Sequence, residues 1–443
     1  MFDSLLNEMM EFSSLGIRPG LERTSRLLSC MGSPQRRFPA VQVLGTNGKG
    51  STAASLESIF IASGMRTALY TSPHLVSLQE RLRLNGKPVH LDLWRDAYGR
   101  VRRAVETDPV LSGDRPTFFE NLTALCFYII AESRADIAVI EAGMGGRYDS
   151  TSLCEALGVV ITPIGMDHMQ YLGATLEAIA SEKFAAVRGG VPAFYAADDE
   201  SLIGLFSGQC NSVGAIPCLL DRLARPEDIR LSLEGTTFTY KPAPGSGLPE
   251  IRDLFTPLVG VHQAENAARA ASVILKMREA DGRFAAIGAD EIRDGLRLAR
   301  WPGRLEVFRA SGRVVILDGA HNEHAFRALE RSVASLTEGG ALAGIGAVVF
   351  AAMRDKDLQS VFRRLVSLRS PVYCTQIRME RSMPASDLAA LAESIGVDVK
   401  GAFPDPEDAL SAACSGSDPS TAVLCCGSLF LVGRLREALG LTP

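Results

Sequence analysis

Gly45-Thr46-Asn47-Gly48-Lys49-Gly50-Ser51-Thr52 follows the apolar run Val41-Gln42-Val43-Leu44 and precedes a stretch, Ala53 to Ala62, whose amphipathic helical pattern stops at Gly64. Strand, glycine loop and helix in this order make a phosphate-binding context. Glycines let backbone amides close on phosphate oxygens, and the helix N-terminus adds unpaired donors and positive potential. Lys49 is spaced to reach terminal phosphates, and Ser51 or Thr52 to face a magnesium ion. The run departs from the common G-x-x-x-x-G-K-[ST] pattern: Gly45 stands too close to the lysine, and Gly50 separates it from the hydroxyls. The competing reading, a glycine turn with an incidental lysine, requires this context to arise by coincidence.

Working outward, apolar strand-like runs alternate with helical patterns, which predicts an α/β fold with a mostly parallel sheet. Val41 to Leu44, Thr67 to Tyr70, Ile137 to Ile140, Val159 to Thr162 and Pro192 to Tyr195 read as strands. Helical periodicity marks Ser51 to Ser63, Leu122 to Ala131, Leu176 to Val187 and Gln263 to Met277. Arg230 to Tyr240 alternates instead and suggests a hairpin turning at Gly235. A second α/β unit begins near Trp301, with strands at Leu305 to Phe308 and Val314 to Leu317 around the turn Ser311-Gly312. Further strands are expected at Ala347 to Phe350, Pro371 to Thr375 and Ala422 to Cys425, and Arg297 to Gly303 is the candidate linker. The domains are therefore expected at 1–298 and 299–443.

Composition narrows the class. A chain of 443 residues with 47% apolar content has ample core, and its formal charge of −5 is spread without a basic block, which argues against nucleic acid. No apolar run is long enough to span a membrane, and the acidic start, Met1 to Met10, does not read as a signal peptide. Nine cysteines without a CxxC pair point to reduced thiols and a cytoplasmic location.

Other residues have two readings each. Glu141 closes a strand and precedes Gly143-Met144-Gly145-Gly146-Arg147, so it is placed to hold magnesium or to cap a turn. His168, after Asp167, is a metal ligand or a satisfied loop histidine. Lys183 on its helix reads by itself as an exposed lysine. Arg304, after Pro302-Gly303, and Asp318, in Asp318-Gly319-Ala320-His321-Asn322, would clamp a nucleotide or form an interdomain salt bridge.

The motifs, taken in order, resemble the folylpolyglutamate synthase/dihydrofolate synthase family of the Mur ligase superfamily. The resemblance runs from the glycine loop through Thr71-Ser72-Pro73-His74-Leu75, Glu80-Arg81, Phe119-Glu120, Thr123-Ala124 and Glu141 to Arg147. It continues through Asp167-His168, Glu182-Lys183, His262-Gln263, Asn266-Ala267, Pro302 to Glu306 and Asp318 to Asn322. The Ser-Pro-His-Leu run separates this family from cell-wall ligases.

The resemblance implies a P-loop ATPase domain followed by a smaller Rossmann-like domain that carries the glutamate-ligase part. The implied reaction is ATP-dependent amide formation between a pterin-bearing carboxylate and L-glutamate through an acyl phosphate, on dihydropteroate and on tetrahydrofolate forms. By the same resemblance Thr46, Asn47, Gly48, Lys49, Gly50 and Ser51 would hold the phosphates of ATP. Ser72, Glu141 and His168 would bind magnesium, and Lys183 would be carbamylated to help bind a second ion. Asn266, Arg304 and Asp318 would contact ATP. Thr117, Phe118, Phe119, Glu120, Tyr148, Asp149 and Ser150 would bind the pteroate, and His321 would lie near the glutamate or the phosphates. Lys49, Lys183 and His321 are the implied catalytic set.

The chain departs from the family at Tyr148, where leucine is common, and at Phe184-Ala185-Ala186, where Ala-Gly-Ile is common. Glu323 stands where proline is usual. Polyglutamylation without use of dihydropteroate is the nearest alternative. A cell-wall ligase would carry an extra N-terminal domain, for which a loop starting at Gly45 leaves no room. A nucleotide-gated switch would lack a need for Glu141, His168 and Lys183, and no Asn-Lys-x-Asp run supports one. A monomer is expected.

Overall fold

The computed structural model describes residues 2–14, 16–196, 199–310 and 312–441, so Ser311 of the expected turn lies outside them. The chain divides into two compact units: Met1–Arg225 with Tyr240–Ile251 and Asn266–Ala299, and Pro226–Thr239 with Arg252–Glu265 and Arg300–Pro443.

The first unit holds an eight-stranded sheet in the order β4-β3-β2-β5-β1-β6-β7-β8. Its strands are β1 Ala40–Leu44, β2 Thr67–Tyr70, β3 Leu82–Leu84, β4 Lys87–Pro88, β5 Ile137–Glu141, β6 Ala156–Ile161, β7 Pro192–Tyr195 and β8 Ile216–Leu219. All pairings are parallel except those of the short β3 and β4 at one edge. β1 lies between β5 and β6, with Val43 opposite Glu141 and Val160. Strands buried on both faces favour apolar residues, so β1, β2 and β5 read as mostly hydrophobic runs, and the polar residue inside β1, Gln42, donates its amide to Thr151 Oγ1 at 3.1 Å and Ser152 Oγ at 3.0 Å. In such sheets ligands bind beyond the carboxyl ends of the strands, where chain order reverses. Here that point lies between β5, β1 and β6.

The glycine loop opens a helix, Lys49–Ala62, two residues earlier than its periodicity implied. The expectation of an amphipathic helix is corrected: every residue from Gly50 to Phe60 is buried. One side packs on the sheet, and the other is covered by the helix Ala289–Leu298, which runs into the expected linker. The polar intruder, Glu57, is paired with Arg83 at 2.7 Å.

A three-stranded sheet, order β11-β10-β9, is made by β9 Ala224–Ser232, β10 Gly235–Pro242 and β11 Ile251–Thr256. The expected hairpin is there, but Gly235 begins β10 and the turn is Leu233-Glu234. In the second unit a six-stranded sheet runs β12-β13-β17-β14-β15-β16. Its members are β12 Glu306–Ala310, β13 Arg313–Leu317, β14 Ile345–Phe350, β15 Val372–Thr375, β16 Val399–Phe403 and β17 Ala422–Cys426. Only β12 is antiparallel. Cys425 and Cys426 are buried in β17, and all nine cysteines are free thiols. No helix among the described residues is long and apolar enough to cross a membrane.

Gly295 shows how tightly the phosphate-loop helix is seated. A Cβ there would stand 2.4 Å from Ile59 Cα and 2.8 Å from Ile59 N, both backbone atoms that cannot move alone. Alanine at this position gains up to about 1 kcal/mol of helix propensity. Overpacking a closed interface costs about 1–3 kcal/mol. Gly295→Ala is therefore expected to lower unfolding stability in urea denaturation, and an unchanged or raised midpoint would show that the two helices separate freely.

Candidate active site

The glycine loop is pinned from the side. Thr46 and Asn47 donate their amides to the carbonyl of Pro163, at 3.0 and 3.3 Å. The Thr46 hydroxyl bonds Gly165 in both directions, donating to its carbonyl at 3.1 Å and accepting from its amide at 3.0 Å. Gly45, at φ +133°, lies so close to Thr162 that a Cβ would fall 1.9 Å from its Oγ1. Gly48, at φ +85°, leaves 2.7 Å between a would-be Cβ and Asn266 Oδ1, so the loop approaches Asn266 at backbone level. Helix geometry leaves the amides of Lys49, Gly50 and Ser51 without intrahelical acceptors. Lys49 Nζ folds back to donate to Thr46 O at 3.1 Å. Thr52 is fully buried, and its hydroxyl has no partner among the described residues.

Lys183 reverses the reading its sequence alone favoured. It is 4% exposed, and its Nζ donates to the carbonyl of Gly45 at 2.8 Å. Burial, reinforced by the positive charge of Lys49, lowers its pKa to about 7, while Asp167 and Asp149 oppose the shift. Gly146 allows this helix to close on the loop after β5: a Cβ there would meet Lys183 O at 2.8 Å and Glu182 O at 2.9 Å. Arg147 extends the contact, with its amide on Glu182 O at 2.9 Å and its Nε on Glu182 Oε1 at 2.8 Å.

Glu141 is buried at the end of β5 and accepts the amide of Ser72, from the loop after β2, at 3.2 Å. His168 has φ +53°, donates its amide to Asp167 Oδ1 at 2.9 Å and is 43% exposed at the side chain. No group of three or more His, Cys, Asp or Glu side chains among the described residues is arranged to hold a metal. Of the expected metal set, only Glu141 and His168 are of that kind, and Ser72 supplies a hydroxyl.

The loop after β2 is held by a glutamate and an arginine that the sequence reading quoted but gave no role. Glu80 accepts the amides of Leu75, Val76 and Ser77 at 2.7 to 2.8 Å. Arg81 donates from Nε to His74 Nδ1 at 2.9 Å, and its guanidinium lies 5.7 Å over the Phe118 ring. Burial and the charge of Arg81 push His74 down to about 4.

The expected pteroate residues sort into two groups. Thr117 and Glu120 form the reciprocal cap of the helix Phe118–Ser133, and Glu120 also pairs with Arg23 at 2.9 Å. Ser150 bonds Thr24 Oγ1 at 2.9 Å. Asp149 is buried, and its carboxylate accepts from the Met144 amide, from the Thr151 amide and from the Thr151 hydroxyl at 2.5 to 3.0 Å. Desolvation raises its pKa against those bonds. These four shape the walls. Phe119 lies against Gly143, where a Cβ would fall 2.6 Å from its ring, and Tyr148 is 53% exposed. With Phe118 they form the aromatic part of the set.

In the second unit Asp318 directly follows β13 and is buried, accepting the amides of Leu305 and Ala320, both at 2.8 Å. Burial raises its pKa, and Arg304 opposes the rise. Arg304 Nη1 donates to Gly303 O at 3.0 Å. Both residues belong to the same unit, so they do not pair with each other as an interdomain bridge. His321 Nδ1 is 2.8 Å from Gly319 O, and Asn322 caps the helix Glu323–Glu338.

Comparison with known proteins agrees with this architecture. Residues 99–274 match the Mur ligase middle domain and residues 303–429 the Mur ligase glutamate ligase domain. The dihydrofolate synthase/folylpolyglutamate synthase of Bacillus subtilis is 32% identical over 96% of this chain and 96% of its own. The structure of Escherichia coli FolC in complex with DHPP and ADP superposes with a TM-score of 0.83 at 27% identity, covering 99% of this chain and 97% of that one. The bifunctional folylpolyglutamate synthase/dihydrofolate synthase of Yersinia pestis, complexed with AMPPNP and a manganese ion, gives a TM-score of 0.83 at 27% identity over 99% and 98% of the two chains. The chain belongs to the folylpolyglutamate synthase/dihydrofolate synthase family of Mur ligases.

Proposed function

We propose that this protein is an ATP-dependent amide ligase that joins L-glutamate to dihydropteroate and, in further rounds, to reduced folates. The observation that carries this is the convergence of the glycine loop, Glu141 and the buried Lys183 at the carboxyl ends of β1, β5 and β6. Names of relatives along the whole chain, and the DHPP complex of a structural neighbour, support acceptance of dihydropteroate over polyglutamylation alone.

A carboxylate does not react with an amine near neutral pH, because it has no adequate leaving group. Transfer of the γ-phosphoryl group of ATP to the acceptor carboxylate makes an acyl phosphate. The amine of glutamate then attacks its carbonyl carbon, and phosphate leaves. The protein contributes positioning and charge stabilisation. Thr46 to Ser51 hold the phosphates: Thr46 and Asn47 pin the loop through Pro163, the amides of Lys49, Gly50 and Ser51 at the helix start face the phosphate oxygens, and the Lys49 ammonium balances their charge. Asn266, Arg304 and Asp318 contact the nucleotide, and His321 lies on the glutamate or phosphate side. Phe118, Phe119 and Tyr148 take the flat body of the acceptor, while Thr117, Glu120, Asp149 and Ser150 keep that wall in shape. We assign 1–298 to ATP binding and 299–443 to glutamate ligation. We assign a cytoplasmic location, in line with nine cysteines that form no disulfide, and a monomeric state.

Magnesium, when bound, neutralises phosphate charge and aligns the transferred group. It favours oxygen donors, one or two carboxylates and retained water, which fits the Glu141 carboxylate and Ser72 hydroxyl, with His168 as the nitrogen donor. Glu141 is already anchored by the Ser72 amide. Carbamylation of Lys183 would replace a buried cation by a carboxylate and supply oxygen for a second ion. Only the neutral amine adds CO2, and a pKa of about 7 makes that form abundant at neutral pH.

Phosphate release from Mg-ATP and L-glutamate is expected with dihydropteroate and with tetrahydrofolate as separate acceptors. Release with tetrahydrofolate alone would reduce the activity to polyglutamylation, and release with neither would overturn the proposal. Glu141→Gln should lower kcat by about a hundredfold or more with both acceptors; wild-type turnover in that variant would remove Glu141 from the reaction. Carbamate on Lys183, read by intact mass and by labelled bicarbonate, should rise with pH. Going from about pH 8 to about pH 6 cuts the neutral amine about tenfold when the pKa is about 7. No added mass at any pH, with activity indifferent to bicarbonate, would show that the free amine is the working form.

A further inference from the structure

The Ser-Pro-His-Leu and Glu-Arg motifs hold two side chains, His74 and Arg81, that the proposed reaction has not used. The loop that carries them is closed at its base, where the Thr71 amide donates to Arg81 O at 2.9 Å, and is threaded onto Glu80 by three amides. The Thr71–Arg81 backbone bond and the three amides on Glu80 together account for the shape of the loop. A bond from Arg81 to His74 is not needed for closure.

That bond has a chemical consequence. The Nε of arginine is a donor and never an acceptor. Because Arg81 Nε donates to His74 Nδ1 at 2.9 Å, Nδ1 must carry a lone pair, and the ring proton must sit on Nε2. No hydrogen bond to His74 Nε2 is made among the described residues, so the ring offers one fixed, uncharged N–H. The same guanidinium lies 5.7 Å over the Phe118 ring, one of the aromatic rings given to the acceptor, and Glu141 adds its field to Arg81. Arg81 therefore joins the aromatic wall to the loop that carries Ser72.

We propose that His74 is a further acceptor-binding residue, whose Nε2–H donates to an oxygen of the acceptor carboxylate, and that Arg81 is the positioning residue that locks its tautomer. The inference rests on the ligase reading above. Its chemistry suits the first step, in which that carboxylate is the nucleophile. A neutral donor orients one oxygen and leaves the charge on the other available for attack on phosphorus. A cation in the same place would hold the charge that must move.

The test uses the full-length enzyme and three variants. His74→Ala should raise KM for dihydropteroate and for tetrahydrofolate about ten- to a hundredfold, the range for a lost hydrogen bond to a charged group, with the KM for ATP unchanged. His74→Gln, whose amide can offer a donor near the Nε2 position, should recover most of that loss. Arg81→Lys keeps a donor and tests whether the planar fork is needed. Nitrogen NMR of the imidazole gives a readout that needs no turnover: wild type should show one neutral Nε2–H tautomer, and Arg81→Lys a mixture. A protonated-at-Nδ1 pattern in the wild type would overturn the proposal, as would an acceptor KM in His74→Ala equal to that of wild type. Equal rises in the KM for ATP and for acceptor, unrescued by glutamine, would also overturn it and reduce the pair to a structural brace. Failure of the ligase reading would be recognised separately, as absence of wild-type turnover with either acceptor.

Discussion

The site depends on one buried amine. Lys183 gives its Nζ hydrogen to the carbonyl of Gly45 at the mouth of the phosphate loop, in a place too dry for an ordinary ammonium. Removing a cation from water is costly unless it is paired or loses its proton. Here the cost is met by a shift of the pKa to about 7 and by nearby Asp167 and Asp149. The same contact fixes distances. It sets the helix Leu176–Phe184 against the loop after β5, where Gly146 has no room for a side chain, and sets both against β1.

Around that amine the site is built by backbone rather than by side chains. Gly45 touches Thr162, Gly48 touches Asn266, Gly143 touches Phe119 and Gly146 touches the Lys183 carbonyl. Each approach is closer than any Cβ permits. A backbone built this way presents amides at fixed positions and reorganises little when charge moves, which is how phosphoryl transfer is catalysed with few reacting groups. Acidic side chains serve the same end by different bonds: Glu80 gathers three loop amides, Asp149 ties the loop after β5, and Asp318 ties the start of the second unit's sheet to Leu305.

Much of this was legible in the linear chain, for identifiable reasons. β2 and β7 begin and end where the sequence places them, because strands covered on both faces leave few polar positions to blur their ends. The short β3 and β4 at one end of the first sheet, and the edge strands β8 and β16, carry polar or exposed residues and lack that signal. The helix Lys49–Ala62 misled in the opposite way. Its serines, threonine and glutamate imply a wet face, yet that face is covered by a distant helix, and Glu57 is neutralised by Arg83. Within the candidate site, motif order named Lys183, Glu141 and Asp149, all three of which the fold buries. It did not separate Thr117 and Glu120, which cap a helix and bind Arg23, from Phe118 and Phe119, which are free of that duty.

The sequence by itself determined the α/β class, the strand–glycine loop–helix at β1, and the family, because each is written in local order and spacing. Only the tertiary structure decided the electrostatic state of the residues involved. Lys183 read by itself as a surface lysine and is buried; Arg304 and Asp318 read as a nucleotide clamp or a bridge between domains and lie in one unit; His74 and Arg81 were motif letters and form a bond that sets a tautomer. Burial, pairing and proton position depend on what the fold brings from far along the chain. Thr162 reaches Gly45, Asn266 reaches Gly48, and Gly45 receives the lysine that lies on a helix beyond β6.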